Sequence, residues 1–324
     1  MKQLHNLVIS SGGITGISYI GMLKYLDEYN LLDNIHTYVG SSVGAIFCLL
    51  LTIEYNWKEI YEFCYQFDFS KLIKETNLDI FLEDFGFEKS NRIVYMMKRI
   101  LEFKNINTDI TFLEHYNNTK KKLVITGTCI NERTIYYFNY LDNPNMKILD
   151  AIHISTCIPI LFTPVKYDDK LWVDGAIIDS FPISYCYEDM EHTLGLTFQD
   201  CDACECDEGI VNYLQDLIKT IICGTNNRNI KIYEKNTIIY LNTLDCNLGS
   251  SFKYDKETKK DIFETGYKSA LEQHDKLLNF IDDTSDNEIQ LLISEVESIL
   301  NSEIDMSETE NSETDISEIE SSSD

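Results

Sequence analysis

The run from Val43 to Ile53, VGAIFCLLLTI, is apolar all the way round a helix except for one Thr. A helix with no polar face has to be buried. Eleven residues fall short of the roughly 20 needed to cross a bilayer, so the burial is inside a protein core. Immediately before it stands Gly40-Ser41-Ser42-Val43-Gly44, and before that the strand-like His36–Val39. A strand, a turn bounded by glycines and a wholly buried helix fit a sheet that is covered on both faces.

The same alternation recurs along the chain. Leu4–Ser10 is a short apolar run ending at Ser11-Gly12-Gly13, and Ile17–Tyr29 then carries apolar residues at helical spacing. Strands are expected at Lys122–Cys129 and Thr134–Tyr140, joined by an Asn-Glu-Arg turn, and at Leu171–Ile178 and His192–Phe198. Helices are expected at Ser90–Glu102, Gly209–Ile222 and Lys256–Ile281. Strands interleaved with helices imply an α/β fold, a three-layer α/β/α sandwich on a largely parallel central sheet.

Charge is unevenly distributed. The net charge is −27, and 15 acids with no Lys or Arg fall between 282 and 324. That final stretch is almost wholly Ser, Glu, Asp and Thr, so it is expected to stay disordered as a solubilising tail. A chain this acidic lacks the basic clusters that grip phosphate backbones, which argues against a nucleic-acid partner. The first ten residues show no signal-peptide core, so the expected compartment is the cytosol, with no transmembrane segment and with free thiols. One cysteine group stands apart: Cys201, Cys204 and Cys206, in an acidic segment, could combine with His192 as a zinc site. The competing reading is a solvated surface loop that happens to carry cysteines.

Gly40–Gly44 matches G-x-S-x-G in the strand–turn–helix setting that such a motif requires. It holds Ser42 at the top of the sheet, at the positive end of the following helix, as a candidate nucleophile. An attacking serine needs N–H donors for the oxyanion. Ser11-Gly12-Gly13-Ile14-Thr15-Gly16 follows the first strand and opens a helix, so Gly12 and Gly13 are candidates. A dinucleotide loop would occupy the same place, but the G-x-G-x-x-G spacing is missing. For the base, none of the six histidines, His5, His36, His115, His153, His192 and His274, sits in a recognisable catalytic loop. Asp174, in Trp172-Val173-Asp174-Gly175-Ala176, ends an apolar strand and would gain basicity from burial. The same Asp-Gly also reads as an ordinary turn.

Taken in order, the glycine loop at 11–16, the Ser42 turn at 40–44 and Asp-Gly-Ala at 174–176 resemble the three signature boxes of the patatin-like phospholipases. The stretch from Ala151 to Val165, with Ser155, Pro159, Phe162 and Pro164, resembles the segment that precedes that family's Asp box. The resemblance implies a catalytic domain over 6–190, an α/β extension over 191–281 packed on the same domain, and the acidic tail over 282–324. It implies Ser42 as nucleophile and Asp174 as proton acceptor, and an oxyanion hole at Gly12, Gly13 and the Val43 amide. Gly16, Gly40, Gly44 and Gly175 are then motif glycines, and no metal or cofactor is called for. Two positions depart from the family pattern: Ser11 replaces its first glycine, and Thr15 replaces a basic residue.

The activity expected from this is a calcium-independent phospholipase A-type acyl hydrolase acting on glycerophospholipid or related acyl lipid. It would touch a membrane surface only transiently, through apolar loops near its cleft. An acyltransferase using the same dyad, or a non-catalytic lipid-binding protein on the same fold, are the rival expectations.

Overall fold

Three short central strands, buried at every residue but Lys122, organise everything else. They are β1 (Asn6–Ile9), β2 (Thr37–Gly40) and the first half of β4 (Lys122–Cys129). A computed structural model of the chain describes residues 3–72, 86–88, 91–198, 209–233, 237–241 and 253–277. Among these, β1 is followed by a 3-10 turn at Gly13–Gly16 and helix α1 (Ile17–Glu28), and β2 by α2 (Val43–Thr52). Then come α3 (Trp57–Gln66), β3 (Gly86–Glu88), α4 (Asn91–Phe103) and α5 (Phe112–Thr119). After β4 the order is β5 (Thr134–Phe138), α6 (Ile148–Ser155), β6 (Ile160–Phe162), β7 (Val165–Tyr167) and β8 (Lys170–Asp174). An irregular 3-10 stretch at Pro182–His192 leads to β9 (Thr193–Phe198), α7 (Ile210–Tyr233), β10 (Thr237–Leu241) and α8 (Lys256–Glu272).

The main sheet runs β10-β9-β1-β2-β4-β8-β7, with β5 also pairing β4. Its first five strands are parallel, and β5, β7 and β8 add antiparallel pairs. Helices cover both faces, as an α/β sandwich requires. Val8, Val39 and Val124 lie in register across β1, β2 and β4 and pack under Phe181 and, from the 182–192 stretch that follows it, Ile183 and Cys186. The next residue along each strand points the other way, the side on which α2 and α6 pack.

One detail of register positions the site. Ile125 of β4 has two partners, Gly40 of β2 on one edge and Phe138 of β5 on the other. Two residues on, Gly127 pairs Tyr136 of β5 and Asp174 of β8. Because β5 stays on its own edge, β8 takes over the edge that β2 leaves. β2 is parallel to β4 and β8 antiparallel, so their carboxyl ends meet head-on along one strand.

Several sequence expectations need adjustment. The apolar run Leu171–Ile178 is not one strand, because β8 stops at Asp174 and a 3-10 turn occupies Gly175–Ile177. The Asp174 carboxylate accepts the Ala176 amide and bends the chain there, while Ala176 stays buried, so hydrophobicity alone does not mark the break. Three helices were not anticipated, α3, α5 and α6, the first two each begun by a capping box, Asn56 with Glu59 and Thr111 with Glu114. The helix expected to end at Ile222 continues to Tyr233. Cys201, Cys204, Cys206 and residues 282–324 lie outside the described residues. No helix among the described residues is long and apolar enough to cross a membrane.

Candidate active site

Ser42 is the residue between β2 and α2, and its backbone has φ 54° and ψ −123°. A non-glycine residue in the positive-φ region is held there only when its surroundings over-determine it. Here the surroundings do so. The Ser42 amide donates to Ser155 Oγ at 3.0 Å, the Gly44 amide to the Ser41 carbonyl at 2.9 Å, and the Ala45 amide to the Ser42 carbonyl at 3.0 Å. A Cβ on Gly40 would lie 2.5 Å from the Ala45 nitrogen, and one on Gly44 would lie 2.2 Å from the Ile9 carbonyl oxygen. Both motif glycines are therefore required by contact.

The Ser42 hydroxyl donates to Asp174 Oδ2 at 2.7 Å. Asp174 is fully buried at the end of β8, and its other oxygen accepts the Ala176 amide at 2.8 Å. Burial pushes this carboxyl up to about 7, against the pull of the Ser42 hydroxyl and the Ala176 amide. A carboxylate with that affinity for protons is matched to accept one near neutral pH. A Cβ on Gly175 would strike Thr126 Oγ1 at 2.1 Å, so the Asp-Gly pair fits against β4 only with glycine. No histidine hydrogen-bonds to Ser42 or Asp174 among the described residues. His115 is buried with its imidazole pushed down to about 4, and His274 bonds the Tyr25 hydroxyl.

The glycine loop arrives beside Ser42 from the end of β1. Gly13 has φ 53° and open space on the side where a Cβ would stand. It begins the 3-10 turn as Val43 begins α2, so neither amide has an acceptor within its own helix. Gly13, Ser42 and Val43 line one cavity. Gly12 does not line it; a Cβ there would collide with the Phe198 ring at 2.1 Å, and Gly16 leaves room for Val43 in the same way. The two departures from the family pattern are absorbed by hydrogen bonds. The Ser11 and Ser180 hydroxyls pair at 2.6 Å, joining this loop to the one after Asp174. Thr15 Oγ1 donates to the Gly12 carbonyl at 2.6 Å.

The cavity measures about 950 Å3 and is walled by apolar side chains, among them Ile17, Ile46, Phe67, Ile93, Ile100 and Phe162. Residues of α2, α3 and α4 form much of its wall, and Lys58, Lys71, Arg92 and Arg99 are part of the lining.

Ser155 is the site residue that sequence reasoning did not assign. It is fully buried at the end of α6, 113 positions from Ser42, and only the folded contact reveals its part. Ser155→Ala leaves the Ser42 amide buried without an acceptor. It is expected to cost about 1–3 kcal/mol of stability, read from denaturant unfolding.

Known proteins resemble the chain in sequence and in fold. The family model described as patatin-like phospholipase matches residues 7–187. Protein R571 of Acanthamoeba polyphaga mimivirus is 29% identical over 293 residues, 86% of this chain and 96% of its own length. The probable lipid hydrolase 463L of Invertebrate iridescent virus 6 is 32% identical over 187 residues, 56% of this chain and 63% of its own length. Among solved structures, VipD from Legionella pneumophila shares the fold, with a TM-score of 0.58 at 17% identity over 85% of this chain and 67% of that one.

Proposed function

Because the chain belongs to the patatin-like phospholipase family, we propose that it is a lipid acyl hydrolase working through Ser42 and Asp174. The observation that carries this reading is the 2.7 Å hydrogen bond from a strained serine to a buried carboxylate, at the wall of a large apolar cavity. Asp174 takes the hydroxyl proton as Ser42 Oγ attacks the ester carbonyl carbon. The carbonyl oxygen becomes an oxyanion facing the Gly13 and Val43 amides, with Gly12 shaping the loop that presents Gly13. A preorganised donor of this kind is worth about 2.7–4 kcal/mol in the transition state. The tetrahedral intermediate collapses, the lipid alcohol leaves with the proton from Asp174, and an acyl-serine remains. Water then attacks the acyl carbon, again losing a proton to Asp174, and the fatty acid departs as Ser42 recovers its hydrogen.

The apolar cavity supports a long fatty-acyl chain as the group transferred. The cations Lys58, Lys71, Arg92 and Arg99, outnumbering Glu59 and Glu62 in the lining, support an anionic glycerophospholipid headgroup despite the loss of a basic residue at Thr15. Tyr95 and Phe103 line the same cavity yet are 66% and 78% exposed, which supports brief contact of this rim with a lipid surface. Residues 6–190 are proposed as the catalytic domain, with 191–281 completing it.

The test is fatty-acid release from phospholipid vesicles in excess chelator, together with labelling by a fluorophosphonate. Release in chelator and labelling that disappears in Ser42→Ala are expected. A wild-type chain that neither labels nor releases fatty acid from any phospholipid would reduce the protein to a lipid binder. Transfer of the acyl group to an added lipid alcohol in preference to water would make it an acyltransferase.

A further inference from the structure

At the end of the sheet away from Ser42, three histidines stand in a row. β9, β1 and β2 are neighbours, and Thr193, Asn6 and Thr37 lie in register across them. The residue before each is a histidine: His192, His5 and His36. Backbone pairing continues past the strand ends. The His5 amide donates to the His192 carbonyl at 2.8 Å and the His36 amide to the His5 carbonyl at 2.9 Å. The imidazoles are consequently stacked at strand spacing, with centroids 4.6 Å apart between His5 and His192 and 5.2 Å apart between His5 and His36.

Asp189 closes one side of this row. One carboxylate oxygen is 2.5 Å from His192 Nδ1 and the other 3.8 Å from His5 Nδ1. Its orientation is set by Asn6, whose side-chain amide donates to Oδ2 at 2.9 Å, and by Thr193, whose hydroxyl donates to the Asp189 carbonyl at 2.7 Å. Donor atoms of His5, Asp189 and His192 all lie within 4.8 Å of one another.

We propose that His5, Asp189 and His192 form a binding site for one transition-metal dication of the zinc class, separate from the acyl-transfer site and independent of it. Two imidazoles and a carboxylate suit Zn2+, Co2+, Ni2+ or Cu2+ and not the all-oxygen shells of Mg2+ and Ca2+. Ligand bonds of about 2.0–2.1 Å at tetrahedral angles place neighbouring donors roughly 3.3 Å apart. The two gaps, 2.5 and 3.8 Å, lie on either side of that value. On binding, the His192 proton shared with Asp189 moves to Nε2, the freed Nδ1 lone pair turns to the ion, and the carboxylate supplies an oxygen. The three side chains are each about a third exposed or more, so a fourth position is open to water. Asn6 and Thr193 are the outer partners that such sites use to fix their ligands.

The place in the fold gives the site its consequence. It ties β9 to β1, and the four residues of β2 set it about 13 Å from the turn that carries Ser42 at the usual rise per strand residue. A bound ion would hold the amino-terminal edge of the parallel sheet without entering the acyl chemistry.

Full-length protein freed of any affinity tag and stripped with chelator should bind one Zn2+ by calorimetric titration and unfold at higher temperature in its presence. X-ray absorption at the zinc edge should show only nitrogen and oxygen neighbours near 2.0–2.1 Å, with no sulfur near 2.3 Å. His5→Gln and His192→Gln should each weaken zinc binding by more than the 10–100-fold that loss of an outer partner typically costs. Both should unfold in chelator at the wild-type temperature, whereas His36→Gln should keep wild-type affinity. Sulfur neighbours, which would place the ion on cysteines, would overturn the proposal, as would unchanged affinity in both ligand variants or no binding to the wild type at micromolar Zn2+.

Discussion

Ser42→Ala is expected to cut fatty-acid release from phospholipid by about ten thousand-fold or more, and Asp174→Asn by about a thousand-fold or more. Neither variant should unfold. The serine hydroxyl and the carboxylate partner each other, and an asparagine at 174 can still accept the Ala176 amide while donating to Ser42 Oγ. The wild-type rate should fall as pH drops through about 7, where the Asp174 carboxyl takes up its proton and ceases to be a base. Stability moves in the opposite sense. A carboxyl raised from its unfolded value of about 3.9 binds its proton more tightly in the folded chain, so its favourable contribution is full below that value and fades as pH rises through about 7. Asp174→Asn, which removes the buried charge, should therefore melt no lower than wild type at pH 8 and show no such advantage at pH 4. Thermal melts at the two pH values, beside a pH–rate profile of the wild type, check both signs. Turnover that persists in either variant would remove the role assigned to that residue.

Gly44→Ala is expected to destabilise the protein by about 3 kcal/mol or more, and to abolish soluble expression if the margin is small. The added methyl would lie 2.2 Å from the Ile9 carbonyl oxygen and 2.6 Å from that of Ser10. Neither oxygen has freedom to retreat, because β1 is clamped between β2 and β9 on both edges. The chain could relieve the clash only by lifting α2 off β1, which would take Ser42 away from Asp174. Gly13→Ala provides the contrast. Its φ of 53° is unfavourable for alanine by roughly 1–2 kcal/mol, but nothing lies within 4 Å of the new methyl. That variant should fold and lose activity, because the methyl enters the cavity beside Ser42. Denaturant midpoints for the pair distinguish steric collision from backbone strain; equal losses would contradict the geometry described.

The parts of this site that were legible in the sequence are those with local causes. A strand that must turn sharply into a buried helix leaves glycines at fixed places, so Ser42 and the Gly12–Gly13 loop could be found by short-range reasoning. Asp174 was visible as an acid ending an apolar run, although the run misled about where β8 stops, since Ala176 is buried in a 3-10 turn just as a strand residue would be. The capping boxes at Asn56 and Thr111 were also present as text, and they mark α3 and α5 more clearly than the half-exposed faces behind them. Ser155 and Ser180 were beyond reach for a different reason. Their hydroxyls act across 113 and 169 positions, and no rule of spacing connects a buried serine to a partner so distant. The same holds for His5, His36 and His192, which become neighbours only because three strands begin at the same level.

The shared edge of β4 has a practical corollary for how such a chain tolerates change. Ser42 and Asp174 are 132 positions apart, yet their alignment passes through only Ile125, Thr126 and Gly127. Lengthening the exposed turn around Glu132, or the loop near Asn105, alters the path between them without altering that ruler. Adding a single residue between Ile125 and Gly127 would slide β8 by about 3.3 Å against β2 and turn the inserted strand's faces over. Inserts of many residues should thus be silent in the first two places, and an insert of one should be ruinous in the third.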